Sequence, residues 1–385
     1  MLMQAQVKRT RWGGIADGAM AGGYFRVERR DGVWWLIDPD GGRFLSKGVN
    51  TVKFDQDEIK ATKRIPYAEA CKRKYGSEAK WRKAAAARLA GWGFNTLGSW
   101  SDVRVAETGV PLAVTPNVDL AMSFAWERQQ PFPDVFDPSF ETHVNRRAHE
   151  LCAPHRGEKH ILGWFIDNEL RWSADWRGKA DLFDLFRSMP PDSFGHRAAK
   201  HSERERFIAE VADRYFALTT AAIRKADPNR LVAGCRFALV PSASIIEAAG
   251  RHVDIVSFNC YELDASAAIA SYAHARKPSL IGEFSFRAAD SGLPNTNGAG
   301  PKVETQRERA DCFRRYETAA FIAPTIVGCH WFEHADQPAE GRFDGENSNF
   351  GTVTINDDVY DELTKAMTAV NADAEAIHSV AGAVS

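Results

Sequence analysis

From Leu45 onwards the chain repeats one pattern: a short apolar run with the length of a β-strand, then a longer stretch that is helical in its spacing or rich in loop residues. The eight apolar runs are residues 45–50, 94–100, 111–119, 160–167, 231–237, 253–259, 279–284 and 325–331. Buried strands that alternate with helices pair in parallel, and a closed ring of eight is the commonest way to bury them all. We therefore predict an α/β fold, specifically a (β/α)8 TIM barrel.

A doubly wound open sheet is the alternative architecture. Such sheets usually carry a glycine-rich phosphate-binding turn after the first strand, and this sequence has none there. The comparison favours the barrel.

The segment before the repeat alternates apolar and charged residues across residues 24–52, with turn residues at Asp31-Gly32 and at 39–42. This pattern predicts a β-hairpin that runs into the first barrel strand. We expect an N-terminal segment and hairpin, residues 1–44, packed on a catalytic barrel of residues 45–385.

Helical spacing and helix-ending residues predict the helices between the strands. They are expected at residues 80–89, 141–152, 203–226, 303–322 and 358–378. Residues 121–140, rich in Pro and aromatics, are expected to form a long loop. That segment and the insertions at 172–202 and 286–301 are expected to shape the cleft.

Charge and cysteine content exclude several classes of protein. The 49 basic and 51 acidic side chains nearly cancel, and no basic stripe offers the phosphate contacts that nucleic acid requires. Six cysteines without C-x-x-C spacing argue against a zinc ribbon or a disulfide scaffold, so we expect free thiols.

The termini and hydropathy predict where the chain resides. Residues 1–23 lack the apolar core of a signal peptide, and no run approaches the length of a membrane span. A cytoplasmic protein without a membrane partner is expected, although a secreted or periplasmic chain whose signal had been removed looks the same.

Two predicted strands carry a glutamate close to their carboxyl ends, at the edge of a barrel where active sites lie. Strand four runs into Asp167-Asn168-Glu169, and strand seven ends with Gly282-Glu283-Phe284. Glycoside hydrolysis with retention needs two carboxyl groups about 5–5.5 Å apart, one protonating the leaving oxygen and one attacking the anomeric carbon. Either glutamate alone could be a surface residue in a salt bridge, but the pair predicts Glu169 as acid/base and Glu283 as nucleophile, with no metal and no cofactor.

Other polar or aromatic residues at predicted strand ends are weaker candidates for substrate binding. They are Asn50, Trp100, Asn259, Tyr261 and Glu333. Tyr261 is the strongest of them, because a tyrosine after strand six can hydrogen-bond the nucleophile and keep it ionised. Each of the others is as often structural, and Trp100 could equally be a core aromatic.

These residues resemble a known group of enzymes. Asn168-Glu169, Glu283 and Trp331 are similar to the pattern of the retaining (β/α)8 glycoside hydrolases of clan A. More specifically, the chain resembles the β-agarases of glycoside hydrolase family 50, from Tyr24 to about Leu363. The segments that carry this resemblance are 163–170 (GWFIDNEL), 281–284 (IGEF), 330–332 (HWF), 336–338 (DQP) and 345–347 (GEN).

The resemblance implies cleavage of β-linked galactose-containing poly- or oligosaccharides. It further implies that Asn168 hydrogen-bonds the sugar 2-hydroxyl and that Trp331 forms the platform under the sugar. Other β-glycans, such as β-galactosides, β-mannans or β-glucans, are alternative substrates within the same clan. The sequence leaves the sugar, the mode of attack and the oligomeric state open.

Two alternative hypotheses assign the chain to a class of protein other than the glycoside hydrolases. His330, Glu333 and His334 match H-x-x-E-H, a zinc-peptidase motif that requires a helix to bring both histidines to one metal. The β-branched and glycine-containing residues before it, and Pro338 after it, make that helix improbable. The second reading is a sugar-binding barrel without turnover, which the presence of both glutamates argues against.

Overall fold

The strands fall into one barrel-forming set and two smaller groups. The protein is described here by a computed structural model covering residues 8–381. The strands are β1 (Arg26–Arg30), β2 (Val33–Ile37), β3 (Arg43–Phe44), β4 (Ser46–Val49), β5 (Thr96–Leu97), β6 (Ala113–Val114), β7 (Gly163–Trp164), β8 (Leu231–Val232), β9 (Val256–Asn259), β10 (Ser279–Phe284), β11 (Arg287–Ala288), β12 (Lys302–Val303) and β13 (Ile326–Trp331).

Eight of these strands are parallel and follow one another around a ring. Six form a sheet in the order β6-β5-β4-β13-β10-β9, and β7 pairs with β8. Parallel bridges from Val114 to Ile161 and from Phe237 to Phe258 join the pair to both edges of the sheet. This cyclic order is that of a (β/α)8 barrel. Each predicted strand contains one strand of the ring, and the predicted α/β fold is confirmed.

Helices follow most of the barrel strands. They are α1 (Pro66–Tyr75), α2 (Glu78–Gly91), α3 (Leu120–Glu127), α4 (Pro138–Leu151), α5 (Leu182–Arg187), α6 (Phe194–Lys200), α7 (Arg204–Ala226), α8 (Ala243–His252), α9 (Ser266–Tyr272), α10 (Gln306–Ile322) and α11 (Asp361–Ser379), with 3-10 turns at Val103–Thr108, Ala153–His155, Ala273–Ala275 and Ala289–Ser291. No helix within residues 8–381 is both long and apolar enough to cross a membrane.

The prediction of a continuous loop over residues 121–140 was wrong. Helix α3 occupies most of its first half, and α4 begins at Pro138. The amide groups of Ala121 and Met122 donate to the carboxyl group of Asp167, at 3.1 and 2.8 Å. The carboxyl group that satisfies the start of α3 therefore comes from 46 residues further along the chain, where local sequence rules do not reach.

The N-terminal hairpin closes one end of the barrel. Strands β1 and β2 pair antiparallel, and an apolar cluster joins this region to residues near the amino ends of the barrel strands. The cluster includes Trp12, Phe25, Leu36, Phe44, Leu162, Leu231, Ile255, Leu280 and Val327. Burial of this apolar surface favours a closed amino end, which leaves the carboxyl ends for a site. The division at residue 44 stays a prediction, and residues 1–7 lie outside the described part.

The six cysteines are free thiols, as predicted. All are buried, and three of them lie in or beside barrel strands, at Cys235, Cys260 and Cys329. Burial raises the pKa of each of these three thiols, so they behave as small apolar side chains rather than as nucleophiles.

Candidate active site

A cavity of about 780 Å³ opens at the carboxyl ends of the barrel strands. Both predicted catalytic glutamates line it, and so do four of the other predicted site residues. Together these six are Asn168, Glu169, Asn259, Tyr261, Glu283 and Trp100. The barrel thus brings residues from strands β5, β7, β9 and β10, which are far apart in the sequence, to one concave surface.

Glu283 lies near the end of β10 and is 5% exposed. Its two carboxyl oxygens have different partners. Arg236 donates from Nη2 to Oε1 at 2.5 Å, and the Tyr261 hydroxyl donates to Oε2 at 2.6 Å. A carboxylate that accepts a charge-assisted hydrogen bond on one oxygen and a phenol hydrogen bond on the other is held in one orientation. A fixed orientation is required of a nucleophile.

Arg236 contacts several residues of the cavity, and it was not among the predicted site residues. Its guanidinium is fully buried and lies over the rings of Trp100 and Phe165, 4.9 and 4.8 Å from the ring centroids. Besides Glu283, it donates to Asn168 Oδ1 at 2.8 Å and to Ser99 Oγ at 2.8 Å. One cation therefore positions both Glu283 and Asn168, the residue that precedes Glu169.

A signal for Arg236 was present in the sequence. It stands near the end of the fifth predicted apolar run, the same position in the pattern as the two glutamates. A charged residue there must either face the cavity or be paired. Its partners could not be read locally, because Glu283 and Asn168 are 47 and 68 positions away.

Glu169 lies in a less charged environment than Glu283. Its Oε1 accepts a hydrogen bond from Asn259 Nδ2 at 2.8 Å, and its backbone amide donates to the carbonyl of Arg236 at 3.2 Å. Burial, and then the charge of Glu283, raise the pKa of Glu169 to about 7. Its φ of 52° is in the left-handed region, where non-glycine residues are uncommon and which is often found at functional sites. A carboxyl group with this pKa is suited to donate and recover a proton near neutral pH.

The expectation that Trp331 forms the sugar platform was wrong. The Trp331 side chain is fully buried and packs against Phe284 and against Phe313 of α10, on the helix side of the barrel wall. Successive side chains of a strand face opposite sides, so the next residue points into the cavity. That residue is Phe332, which lines the cavity and makes edge contacts with the rings of Trp100 and Tyr261.

Asn50 and Glu333 also do not reach the cavity, so their predicted role in substrate binding is corrected. Both are fully buried. Asn50 donates from Nδ2 to the carbonyl groups of Gly282 and Trp331, at 2.9 and 3.2 Å, which ties β4 to two other strands. Glu333 accepts from Gln337 Nε2 at 3.0 Å, and burial raises its pKa well above the ordinary value.

One wall of the cavity is formed by Arg342 and several carboxyl groups, none of which we predicted. Arg342 pairs with Glu346 at 2.7 Å and with Asp344 at 3.0 Å, and lies 3.6 Å from Asp57. Glu346 belongs to the GEN segment that supported the family resemblance. Glu346 itself was not predicted to line the cavity.

The zinc-peptidase alternative is contradicted by the local structure. His330 lies on β13 rather than on a helix, and its Nε2 is 2.8 Å from Ser46 Oγ. His334 instead packs against the rings of Tyr67 and Trp81. The helical turn that places both imidazoles on one metal is not formed. Within residues 8–381, no group of three potential His, Cys, Asp or Glu ligands is close enough to hold a metal ion.

The curated proteins that are similar to this chain are β-agarases. No family model matches the sequence. Beta-agarase B from Vibrio sp. (strain JT0107) is 27% identical across 95% of this chain and 50% of its own length, and Beta-agarase A from the same strain is also 27% identical. The chain spans about half the length of the curated relatives it matches.

Solved structures show the same relationship. The agarase AgWH50C superposes with a TM-score of 0.82 at 26% identity, covering 97% of this chain and 67% of that one. An exo-beta-agarase superposes with a TM-score of 0.82 at 22% identity, covering 96% of this chain and 68% of that one. In sequence and in fold, this chain is therefore similar to the β-agarases of glycoside hydrolase family 50.

Proposed function

We propose that the protein is a retaining glycoside hydrolase that cleaves β-linked galactose-containing poly- or oligosaccharides. One observation carries the proposal: two glutamates share one cavity, and only one of them is paired with an arginine. Retaining hydrolysis requires one carboxyl group that stays ionised and one that keeps a proton. The names of the similar agarases supply the substrate class.

In the first step, a Glu283 carboxylate oxygen attacks the anomeric carbon while Glu169 gives its proton to the glycosidic oxygen. The bond from carbon to oxygen breaks, the shortened sugar leaves with that proton, and an ester joins the sugar to Glu283. In the second step, Glu169 removes a proton from water, which attacks the same carbon and frees Glu283. Each step inverts the anomeric centre, so the product keeps the β configuration.

Residues around the pair have separate roles in this proposal. Arg236 and Tyr261 orient Glu283 through its two oxygens, and Asn259 orients Glu169. Asn168, held by Arg236, is available to hydrogen-bond the sugar 2-hydroxyl. Trp100, which is 38% exposed, offers a ring surface against which a sugar can pack, and the largely buried Phe332 lines the cavity beside it.

Product analysis on a defined panel tests the proposal. The purified protein is incubated with agarose, agaro-oligosaccharides, other β-galactans, β-mannans and β-glucans, and the first anomer released is identified by NMR. The proposal predicts cleavage of the β-galactose-containing members with the β anomer formed first. Cleavage of mannans or glucans alone overturns the substrate, an α anomer overturns the retaining mechanism, and sugar binding without turnover makes the chain a binding protein.

A further inference from the structure

One exposed aromatic side chain that lines the cavity has no role in the two proposed steps of hydrolysis. Trp176 is 67% exposed and lines the cavity, as do Leu239 at 47% and Val240 at 44% exposure. Three large apolar side chains that are exposed and line the same cavity are characteristic of a surface that binds a ligand.

The turn that carries Trp176 is firmly held. Backbone hydrogen bonds close it in both directions between Asp175 and Gly178. Arg177 binds the Asp175 carboxylate at 2.5 and 2.9 Å, and its guanidinium lies 4.8 Å from the centroid of the Trp176 ring. An aromatic that is already fixed loses little conformational freedom when a ligand packs against it.

The same arginine links the turn to the acid. Arg177 donates from Nη1 to the backbone carbonyl of Glu169 at 2.9 Å. In glycoside hydrolysis the acid stands on the side of the leaving sugar, because it protonates the oxygen that departs with that sugar. The turn that carries Trp176 is therefore attached to the residue that stands on the leaving-group side.

We propose that Trp176, with Leu239 and Val240, forms the binding site for the neutral sugar on the leaving-group side of the cleaved bond. The inference rests on the proposed function and adds the location and chemistry of this subsite. Sugar rings present apolar C–H faces that pack on an indole, whereas Leu239 and Val240 offer no partner for an ionic group.

The same subsite also affects the fate of the glycosyl-enzyme. A sugar hydroxyl bound on Trp176 can replace water in the second step: Glu169 takes its proton, its oxygen bonds to the anomeric carbon, and Glu283 is released as a carboxylate. Trp176 is therefore expected to determine how much glycosyl group is transferred to sugar acceptors rather than to water.

Two substrates that share a glycosyl group but differ in the leaving group distinguish binding of the leaving sugar by Trp176 from a general effect of Trp176 on catalysis. One is a β-linked agaro-tetrasaccharide, and the other is the matching glycosyl fluoride, whose leaving group is too small to contact the indole. Aryl glycosides are unsuitable because their ring can itself stack on Trp176. The variants are Trp176→Ala, Trp176→Phe, and Trp126→Ala as a matched control, since Trp126 is 60% exposed on α3 and does not line the cavity.

The quantity compared is the ratio of kcat/KM for the tetrasaccharide to kcat/KM for the fluoride. We expect Trp176→Ala to lower this ratio by about 5- to 10-fold, Trp176→Phe to recover part of it, and Trp126→Ala to leave it unchanged. An unchanged ratio in a folded Trp176→Ala variant, with the wild type active on both substrates, overturns the subsite and leaves the proposed function standing. A wild type that cleaves neither substrate overturns both.

Discussion

The surroundings of Glu283 and those of Glu169 differ in the hydrogen-bond partners that they give to the carboxyl group. Glu283 has a buried guanidinium on one oxygen and a phenol on the other, whereas within residues 8–381 the Glu169 carboxyl group has only the amide of Asn259. Burial, and then the charge of Glu283, raise the pKa of Glu169 to about 7. Two identical side chains thus have different surroundings, which fit the separate roles that we propose for them.

The largest effect is expected from removing Glu283. Glu283→Ala leaves Arg236 and Tyr261 without their carboxylate and removes the nucleophile, so kcat should fall by about 10⁴-fold or more. Azide should restore turnover and give the α-glycosyl azide. Glu205→Ala, an exposed glutamate on α7, is the matched control. Near-wild-type turnover in Glu283→Ala contradicts the assignment.

Removing Glu169 should have a smaller effect on activity, and the size of that effect should depend on the substrate. Glu169→Ala should lower kcat/KM by about 10²- to 10⁴-fold for oligosaccharides, because their leaving oxygen needs a proton. Substrates with activated leaving groups should be affected less, and azide should then give the β-glycosyl azide. Equal losses for good and poor leaving groups are incompatible with an acid at this position.

The phenol on Glu283 is expected to contribute less than the residue it supports. Tyr261→Phe removes one hydrogen bond to a charged group, and we expect kcat to fall by about 10- to 100-fold. Tyr75→Phe is the control, because it breaks a similar tyrosine–carboxylate bond, to Asp357, away from the cavity. If both variants have wild-type kcat, Tyr261 is not a positioning residue.

The pH dependence of activity should report the state of Glu169. Its pKa of about 7 lies above the ordinary glutamate value, so the acid is protonated below pH 7 and kcat/KM should fall as the pH rises through about 7. Asn259→Ala removes a hydrogen bond that stabilises the carboxylate, so the alkaline limb should move to higher pH. A limb that stays in place or moves to lower pH contradicts this interpretation of the Glu169–Asn259 contact.

The smallest effect on activity is expected at a buried glutamate outside the cavity. Burial raises the pKa of Glu317 to about 8, and within the described residues its carboxyl oxygens lack a hydrogen-bond partner. The folded state then binds more protons than the unfolded state between about pH 4.3 and pH 8, so stability should fall as the pH rises through that window.

Glu317→Gln should remove this part of the pH dependence and leave kcat/KM within about twofold. The measurements are Tm at pH 5 and pH 9, compared with the wild type. Burial raises the pKa of both Glu169 and Glu317, but only Glu169 of the two lines the cavity. We therefore expect only Glu169 to affect activity, and a large loss of activity in Glu317→Gln would contradict this expectation.

The sequence was most informative where a residue's position depends on its own place in the pattern. The apolar runs gave the order of the barrel strands, and the polar residues at or after their ends include Glu169, Glu283, Asn259 and Tyr261, all of which line the cavity. Barrel geometry brings strand ends together whatever lies between them. The pair could therefore be predicted without knowing its contacts.

The errors concern features that depend on partners distant in the sequence. The choice between Trp331 and Phe332 depends on which side of the barrel each faces, and both are aromatic, so composition does not decide it. The start of α3 depends on Asp167, and the role of Arg236 depends on Glu283 and Asn168. These contacts exist only once the ring is closed.

Trapping the glycosyl-enzyme tests the central claim most directly. A 2-deoxy-2-fluoro glycosyl fluoride of the preferred sugar slows the second step more than the first, and mass spectrometry of the digested protein locates the bound sugar. The account predicts a single fluorosugar attached to the peptide that contains Glu283, and none in Glu283→Gln. A label on another residue, or inverted product with no label, contradicts it.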